Sequence, residues 1–164
     1  IIELINENYT TDRNGSKTIE LLGASFIANE EAIFGTPNRD YIESELEWYE
    51  SESTNINDIY GTGFDDKKPP QAWRMTSIWN EYNENGKNDF ICTNSVTYYI
   101  RDHALHCVVQ MRSNDVIFGY RNDYAWQDYV LRHLANDLSI DPGDIHWQVQ
   151  NLHVYERHFD MVKS

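Results

Sequence analysis

The segment Ile145 to Tyr155, IHWQVQNLHVY, alternates apolar and polar side chains clearly. A period of two belongs to an extended chain with one buried face. Such a strand cannot stand alone, so the chain must build a sheet and cover it. Thr18 to Ala28 (TIELLGASFIA) is apolar and partly alternating, and reads as a second strand with Gly23 as a bulge position. Val96 to Ile100 and His106 to Met111 read as two more strands, joined by a short polar turn at Asp102-His103. Asp123 to Leu138 has the pattern of an amphipathic helix, with Ala125, Tyr129, Val130 and Leu134 on one side and charges on the other. Pro142-Gly143 breaks it. Asn38-Arg39-Asp40 looks like a helix start, and Ile42, Leu46 and Tyr49 follow at helical spacing, to about Glu52. Asn14-Gly15 is a turn signal, and Ser53 to Gln71, rich in Gly, Pro, Asp and Lys, reads as a loop. The expected class is mixed α/β (α+β), with strands outnumbering helices and no internal repeat.

A chain of 164 residues with 40% hydrophobic and 13% aromatic composition suits a single domain, 1-164, with a real core. Its formal net charge of −14 repels duplex nucleic acid, so binding to a nucleic-acid polymer is not expected. A small anionic ligand stays possible, because a few Arg and Lys residues can dominate a pocket. No apolar run reaches membrane-spanning length and no basic-then-apolar leader opens the chain, so a soluble, intracellular protein without membrane partners is expected. The Ile1-Ile2 start suggests that a piece upstream is not shown. Cys92 and Cys107 lack CxxC spacing, which suits a reducing compartment and makes no zinc site. No metal is expected.

Three stretches carry candidate chemistry: Asp89-Phe90-Ile91-Cys92-Thr93-Asn94, then Met111-Arg112-Ser113-Asn114-Asp115, then Arg121-Asn122-Asp123-Tyr124-Ala125-Trp126. Cys92 suits a nucleophile if its surroundings favour the thiolate, and equally a buried structural thiol. Arg112-Ser113 can offer a guanidinium fork, a hydroxyl and a backbone N–H to one phosphate, or be an ordinary surface pair. Asp123 reads either as the N-cap of the long helix or as an acceptor for the exocyclic amine of cytosine; an amide in its place would pair with O4 and N3 of uracil. Glu45, beside Leu46 and Trp48, could act as a general acid or base, or be one more solvated helix charge like Glu43 and Glu47. His153 and Tyr155 share one face of the last strand and could hold a sugar hydroxyl. Taken singly, each signal is weak.

Their order and spacing are more specific. Arg112-Ser113-Asn114-Asp115 resembles the Arg-Ser-x-Asp motif of the thymidylate synthase superfamily, and Pro142-Gly143-Asp144 through His153-Val154-Tyr155 resembles its Pro-Gly-Asp…His-x-Tyr run. Within the superfamily the chain more closely resembles the deoxycytidylate hydroxymethylases of T-even bacteriophages. Lys17-Thr18-Ile19-Glu20 with Gly23-Ala24-Ser25-Phe26, Glu45-Leu46-Glu47-Trp48-Tyr49, and Met111 through Gln127 carry that likeness. The resemblance implies a mixed sheet flanked by helices, paired through the sheet as a homodimer. It implies transfer of a hydroxymethyl group from 5,10-methylenetetrahydrofolate to C5 of dCMP, in host cytoplasm, to supply a modified nucleotide for phage DNA. Position by position, Cys92 falls on the family nucleophile and Glu45 on the glutamate that organises water and proton transfer. Arg112, Ser113 and Arg13 fall on phosphate contacts, His153 and Tyr155 on the pair that holds the deoxyribose 3′-hydroxyl, and Asp115 on a folate contact. Asp123 replaces the asparagine with which thymidylate synthases read uracil, which favours cytosine.

The chain departs from the family pattern between Trp73 and Ser77, where a long segment with an arginine pair lent to the partner subunit and a tyrosine-bearing loop is missing. A smaller shortening lies near Ser139 to Pro142. The absent segments fall where the family has ligand-ordered loops. Two alternatives stay open: a hydroxymethylase or methylase for CMP or dUMP, and a truncated, inactive nucleotide-binding protein.

Overall fold

The computed structural model describes residues 2–12, 14–50 and 92–163. Along the chain these form α1 (Ile2–Ile5), β1 (Thr10–Thr11), β2 (Lys17–Ala28), α2 (Arg39–Glu50), β3 (Thr93–Arg101), β4 (Ala104–Asp115), α3 (Gly119–Asp137), β5 (Asp141–Tyr155), a 3₁₀ turn (Glu156–His158) and α4 (Phe159–Lys163). They fall into two compact units, one of Ile1–Pro37 with Ser95–Ser164, the other of Asn38–Asn94. The loop expected over Ser53 to Gln71, the shortening between Trp73 and Ser77, and Arg13 lie outside the described residues.

The mixed α/β expectation holds: five strands form one sheet in the order β1-β2-β5-β4-β3. β5 is its centre. It runs antiparallel to β2, from Thr18↔Tyr155 to Ala28↔Ile145. It runs parallel to β4, from Ala104↔Asp141 to Asp115↔His153. A parallel pair needs a crossover, and α3 supplies it. The two antiparallel connections are tight. At the first, the Asp12 carboxylate accepts the Asn14 and Ser16 N–H groups at 2.9 and 2.7 Å, and Gly15 takes φ +82°. At the second, Asp102 and His103 both adopt positive φ, 50° and 66°, the pattern of a two-residue hairpin turn.

One face of β4 and β5 makes the core. Leu105, Cys107, Val109, Met111, Ile145, Trp147 and Val149 are all buried, and Tyr120, Tyr124, Leu131 and Ala135 of α3 are buried with them. Trp147, the largest fully buried side chain, meets the Tyr120 ring edge-on at 5.4 Å. Burying an apolar side chain of this kind contributes about 1.5–3 kcal/mol.

The alternation then changes phase. After Met111 and Val149 the next buried residues are Asn114 and Leu152, three places on instead of two. The paired positions Ser113↔Asn151 and Leu22↔Asn151 mark this level across three strands. Gly23 sits beside it with φ +70°. The expected bulge at Gly23 inserts no residue, since Leu22↔Asn151 and Ala24↔Val149 keep one register. The phase change leaves Arg112 and Ser113 both half-buried and turns Asn114 inward.

Several element boundaries differ from expectation; β3 and β4, expected over Val96 to Ile100 and His106 to Met111, run longer, over Thr93–Arg101 and Ala104–Asp115. α3 begins at Gly119, four residues before Asp123, because Asp115 closes the strand-to-helix turn. Its buried residues are Tyr120, Arg121, Tyr124, Gln127, Leu131 and Ala135, so Ala125, Tyr129, Val130 and Leu134 lie one or two residues off that face, with Leu134 exposed. Pro142-Gly143 opens β5 and does not form the break; the helix ends in a short turn where Ser139 takes φ 55°. The shortening near Ser139 to Pro142 is met by this turn, with Ile140 N–H on the Ala135 carbonyl and Asp141 N–H on the His103 carbonyl. α2 starts where expected, with the Asn38 side chain accepting the Tyr41 N–H at 3.2 Å, and ends at Glu50.

Candidate active site

The carboxyl end of β4 and the adjoining part of β5 bring five of the expected residues together. Register places Ser113 beside Asn151 and Asp115 beside His153. The Val116 N–H donates to the His153 carbonyl at 2.9 Å, which ties the end of β4 to β5. Arg112 and Ser113, at the phase change, are half-buried neighbours at the approach to this end of the ladder.

His153 is oriented by a chain of contacts. The Asn151 amide donates to the Glu20 carboxylate through Nδ2. A carboxylate only accepts, so Asn151 must turn Oδ1 the other way, and that oxygen lies 3.2 Å from His153 Nδ1. In the neutral ring this contact calls for the tautomer with its proton on Nδ1, which leaves Nε2 as the acceptor. Tyr155, two residues on, meets the His153 ring edge-on at 5.0 Å, as their shared face requires. The Arg157 guanidinium lies 4.3 Å over the Tyr155 ring. An imidazole acceptor beside a phenol is a pair suited to one sugar hydroxyl.

Asp115 carries a different burden. Its Oδ1 accepts the Ile117 N–H at 3.1 Å and its Oδ2 the Phe118 N–H at 3.3 Å, so it shapes the turn into α3. Asp123 sits in the second turn of α3 and is not the helix N-cap, which is Phe118. Its Oδ2 accepts a hydrogen bond of 2.8 Å from Asn114 Nδ2. Asn114, Asn151 and Glu20 were not singled out from the sequence. Asn114 stands at the variable place of the Arg-Ser-x-Asp motif, and only the phase change reveals that it faces inward.

Cys92 and Glu45 belong to the second unit. Cys92 is half-buried immediately before β3, and Glu45 is half-buried on α2. Neither cysteine is in a disulfide. Cys107 is fully buried in the sheet core, and burial, helped by the Asp128 charge, pushes its thiol up to about 12. That thiol is unsuited to nucleophilic attack, which leaves Cys92 as the candidate of the two.

Two other features are of a different kind. A cavity of about 530 Å³ is bounded by Leu4, Ile19, Phe34, Val116, Leu152 and Phe159. Its described lining includes the carboxylates Glu3 and Glu20 and no cation, so it does not suit a phosphate. His106, Asp144 and His146 place possible ligand atoms within 4.8 Å of one another. Along β5, His146 and Asp144 lie seven and nine residues from His153, roughly 23 to 30 Å at strand spacing, and His106 Nδ1 already accepts the Asp144 N–H at 2.9 Å.

Comparison with known proteins bears on the family. The thymidylate synthase family model matches residues 66–164. A protein of Enterobacteria phage T6 named deoxycytidylate 5-hydroxymethyltransferase is 39% identical over 98% of this chain and 85% of its own length, and its phage T4 counterpart is 38% identical over the same shares. These alignments run over 215 positions, more than the 164 residues of the chain, so the relatives carry residues with no counterpart here. A thymidylate synthase of Fusobacterium nucleatum is 30% identical over 58% of this chain and 35% of its own length. No described helix is long and apolar enough to cross a membrane. The chain belongs to the thymidylate synthase family.

Proposed function

We propose that the chain is a deoxycytidylate 5-hydroxymethyltransferase, acting in host cytoplasm as one thymidylate synthase-like domain that pairs through its sheet as a homodimer. The observation that carries the substrate choice is the Asp123 carboxylate, held at 2.8 Å by Asn114; by the resemblance of its motif, it replaces the amide with which thymidylate synthases read uracil. Both oxygens of a carboxylate accept, which matches the N4 amine of cytosine and opposes the O4 of uracil.

Arg112 and Ser113, with Arg13, hold the 5′-phosphate by charge-assisted hydrogen bonds. His153 accepts the 3′-hydroxyl through Nε2, and Tyr155 completes that contact. The Cys92 thiolate adds to C6 of the ring, which makes C5 the nucleophile. Asp123 accepts from N4 and stabilises the charge distribution that develops across N3 and N4. Methylenetetrahydrofolate supplies the one-carbon unit as co-substrate. Asp115 shapes the turn on which that co-substrate rests. Glu45 orients the water that adds to the exocyclic methylene at C5 once the folate amine has left. The C5 proton and the folate amine are lost together as that methylene forms; once water has added, the electron pair returned to C5 expels the Cys92 thiolate from C6 and releases the 5-hydroxymethyl product.

The test is the mass of the product formed from an equal mixture of dCMP and dUMP with methylenetetrahydrofolate. A gain of a hydroxymethyl group on dCMP alone is expected. A methyl group on dUMP would overturn the reading of both the reaction and Asp123.

A further inference from the structure

We infer that Asn114 is a positioning residue for nucleotide choice: it holds one oxygen of Asp123 so that the other faces the base. The inference rests on the reading of Asp123 as the base reader. Asn114 is 3% exposed, at the first inward position after the phase change in β4. Its Nδ2 donates to Asp123 Oδ2 at 2.8 Å, across nine residues and from strand to helix. Its Oδ1 is buried with no hydrogen-bond partner. An amide that leaves its own oxygen unsatisfied while giving its N–H to a carboxylate serves the carboxylate more than itself.

The geometry around the pair is built for it. Gly119 and Asp123 are four residues apart on α3 and so share a face. A Cβ on Gly119 would lie 3.3 Å from Asn114 Nδ2 and 3.8 Å from Asp123 Oδ2. The missing side chain at 119 is the space in which the two meet. The chemistry has a fixed polarity, because only the amino end of Asn114 can face a carboxylate. The same donor would turn an asparagine at 123 so that its oxygen faces Asn114 and its amino group faces the base. That group would donate to O4 of uracil. Asn114 therefore works with either residue, and residue 123 decides which base edge is read.

The experiment is calorimetric titration of the full chain with dCMP and with dUMP, reading the ratio of their dissociation constants. Asn114→Leu, close in volume and without a donor, should cut the preference for dCMP about tenfold, the value of one charge-assisted hydrogen bond. Asn114→Ser, too short to reach, gives the same reading should the leucine variant not fold. In an Asp123→Ala background neither change should alter the ratio, since nothing is left to position. A purely structural role would alter it equally in both backgrounds, and that result would overturn the inference. So would an unchanged ratio in Asn114→Leu when Asp123→Asn does shift preference toward dUMP. If Asp123→Asn leaves the preference for dCMP intact, the reading of Asp123 is wrong and the role of Asn114 falls with it.

Discussion

Arg121 on α3 clasps the backbone on both sides of Gly35: its guanidinium donates to the Phe34 carbonyl at 2.9 Å and to the Thr36 carbonyl at 2.8 Å. The side chain is only 6% exposed and lies over the Phe118 ring at 5.1 Å. Gly35 has φ +69°, and a Cβ there would stand 2.6 Å from Arg121 Nη2 and 2.9 Å from Met161 Cε. Gly35→Ala should therefore cost the left-handed backbone strain and also displace the clasp, about 2 kcal/mol or more together. The measurement is the urea midpoint against wild type. A loss under 0.5 kcal/mol on the order of an ordinary surface change would mean that the clasp is not holding this loop.

The two cysteines should behave as opposites. Burial first, and then the Asp128 charge, raise Cys107 from 9.0 to about 12. Tyr98 rises from 10.0 to about 12, by burial first and then by its proximity to Cys107. Groups with raised folded values keep their protons longer in the native state than in the unfolded one. Their stabilising effect is complete below pH 9 and is lost as pH rises through about 12. Stability by urea titration should fall steadily above pH 9 without any matching change between pH 7 and 8. At pH 8, iodoacetamide should label native protein once, on Cys92, and unfolded protein twice. Labelling of Cys107 in the native state would contradict its burial.

Much of this fold is legible in the sequence because its strands alternate and its turns carry their own chemistry. β2, the β3–β4 hairpin and the start of α2 follow from Thr18 to Ala28, Asp102-His103 and Asn38 without tertiary information. The start and face of α3 do not. Asp115 spends its carboxylate on the Ile117 and Phe118 N–H groups and lets the helix begin early, which no periodicity records. Its inward face includes Gln127 and Arg121, polar residues that a hydrophobic pattern assigns to solvent. Arg121 is buried because carbonyls 85 and 87 residues away accept its protons. The site divides the same way. Arg112, Ser113, Asp115, His153 and Tyr155 are legible as candidates through the motifs that resemble those of the thymidylate synthase family. Asn114 and Asn151 matter only through side-chain polarity, which the sequence does not orient.

The β3–β4 turn has room for improvement. Both central residues lie in the left-handed region, with Asp102 at φ 50° and His103 at φ 66°. That region costs a non-glycine residue roughly 1–2 kcal/mol, and Asn-Gly is the preferred pair for it. Replacing Asp102-His103 by Asn-Gly should raise stability by about 1 kcal/mol. The Asp141 N–H bond to the carbonyl of residue 103 is a backbone contact and is kept by the change. A higher urea midpoint with an unchanged slope is the expected outcome; a lower midpoint would mean that the His103 side chain holds something the backbone cannot replace.

The open face of the sheet supplies the last prediction. α3 covers the Cys107, Val109 and Trp147 side, so the opposite side carries Ile27, His146 and Val108 in one lateral row, paired Ile27↔His146 and Val108↔His146. Beside it runs a polar row in which Ser95 donates to Gln110 at 2.8 Å and Gln110 to Gln148 at 3.1 Å. Ile27 is 51% exposed and Tyr99 43% exposed on this face. If the proposed homodimer uses it, Ile27→Asp would place a charge against apolar surface in each copy, a cost of several kcal/mol on the order of an unpaired buried ion. Sedimentation should show a species of twice the 19.3 kDa chain for wild type and a monomer for the variant. With a formal charge of −14 per chain, the wild-type dimer should tighten as salt is added, because screening removes repulsion between copies. A wild-type chain that stays monomeric at every salt and protein concentration would show that this face does not pair.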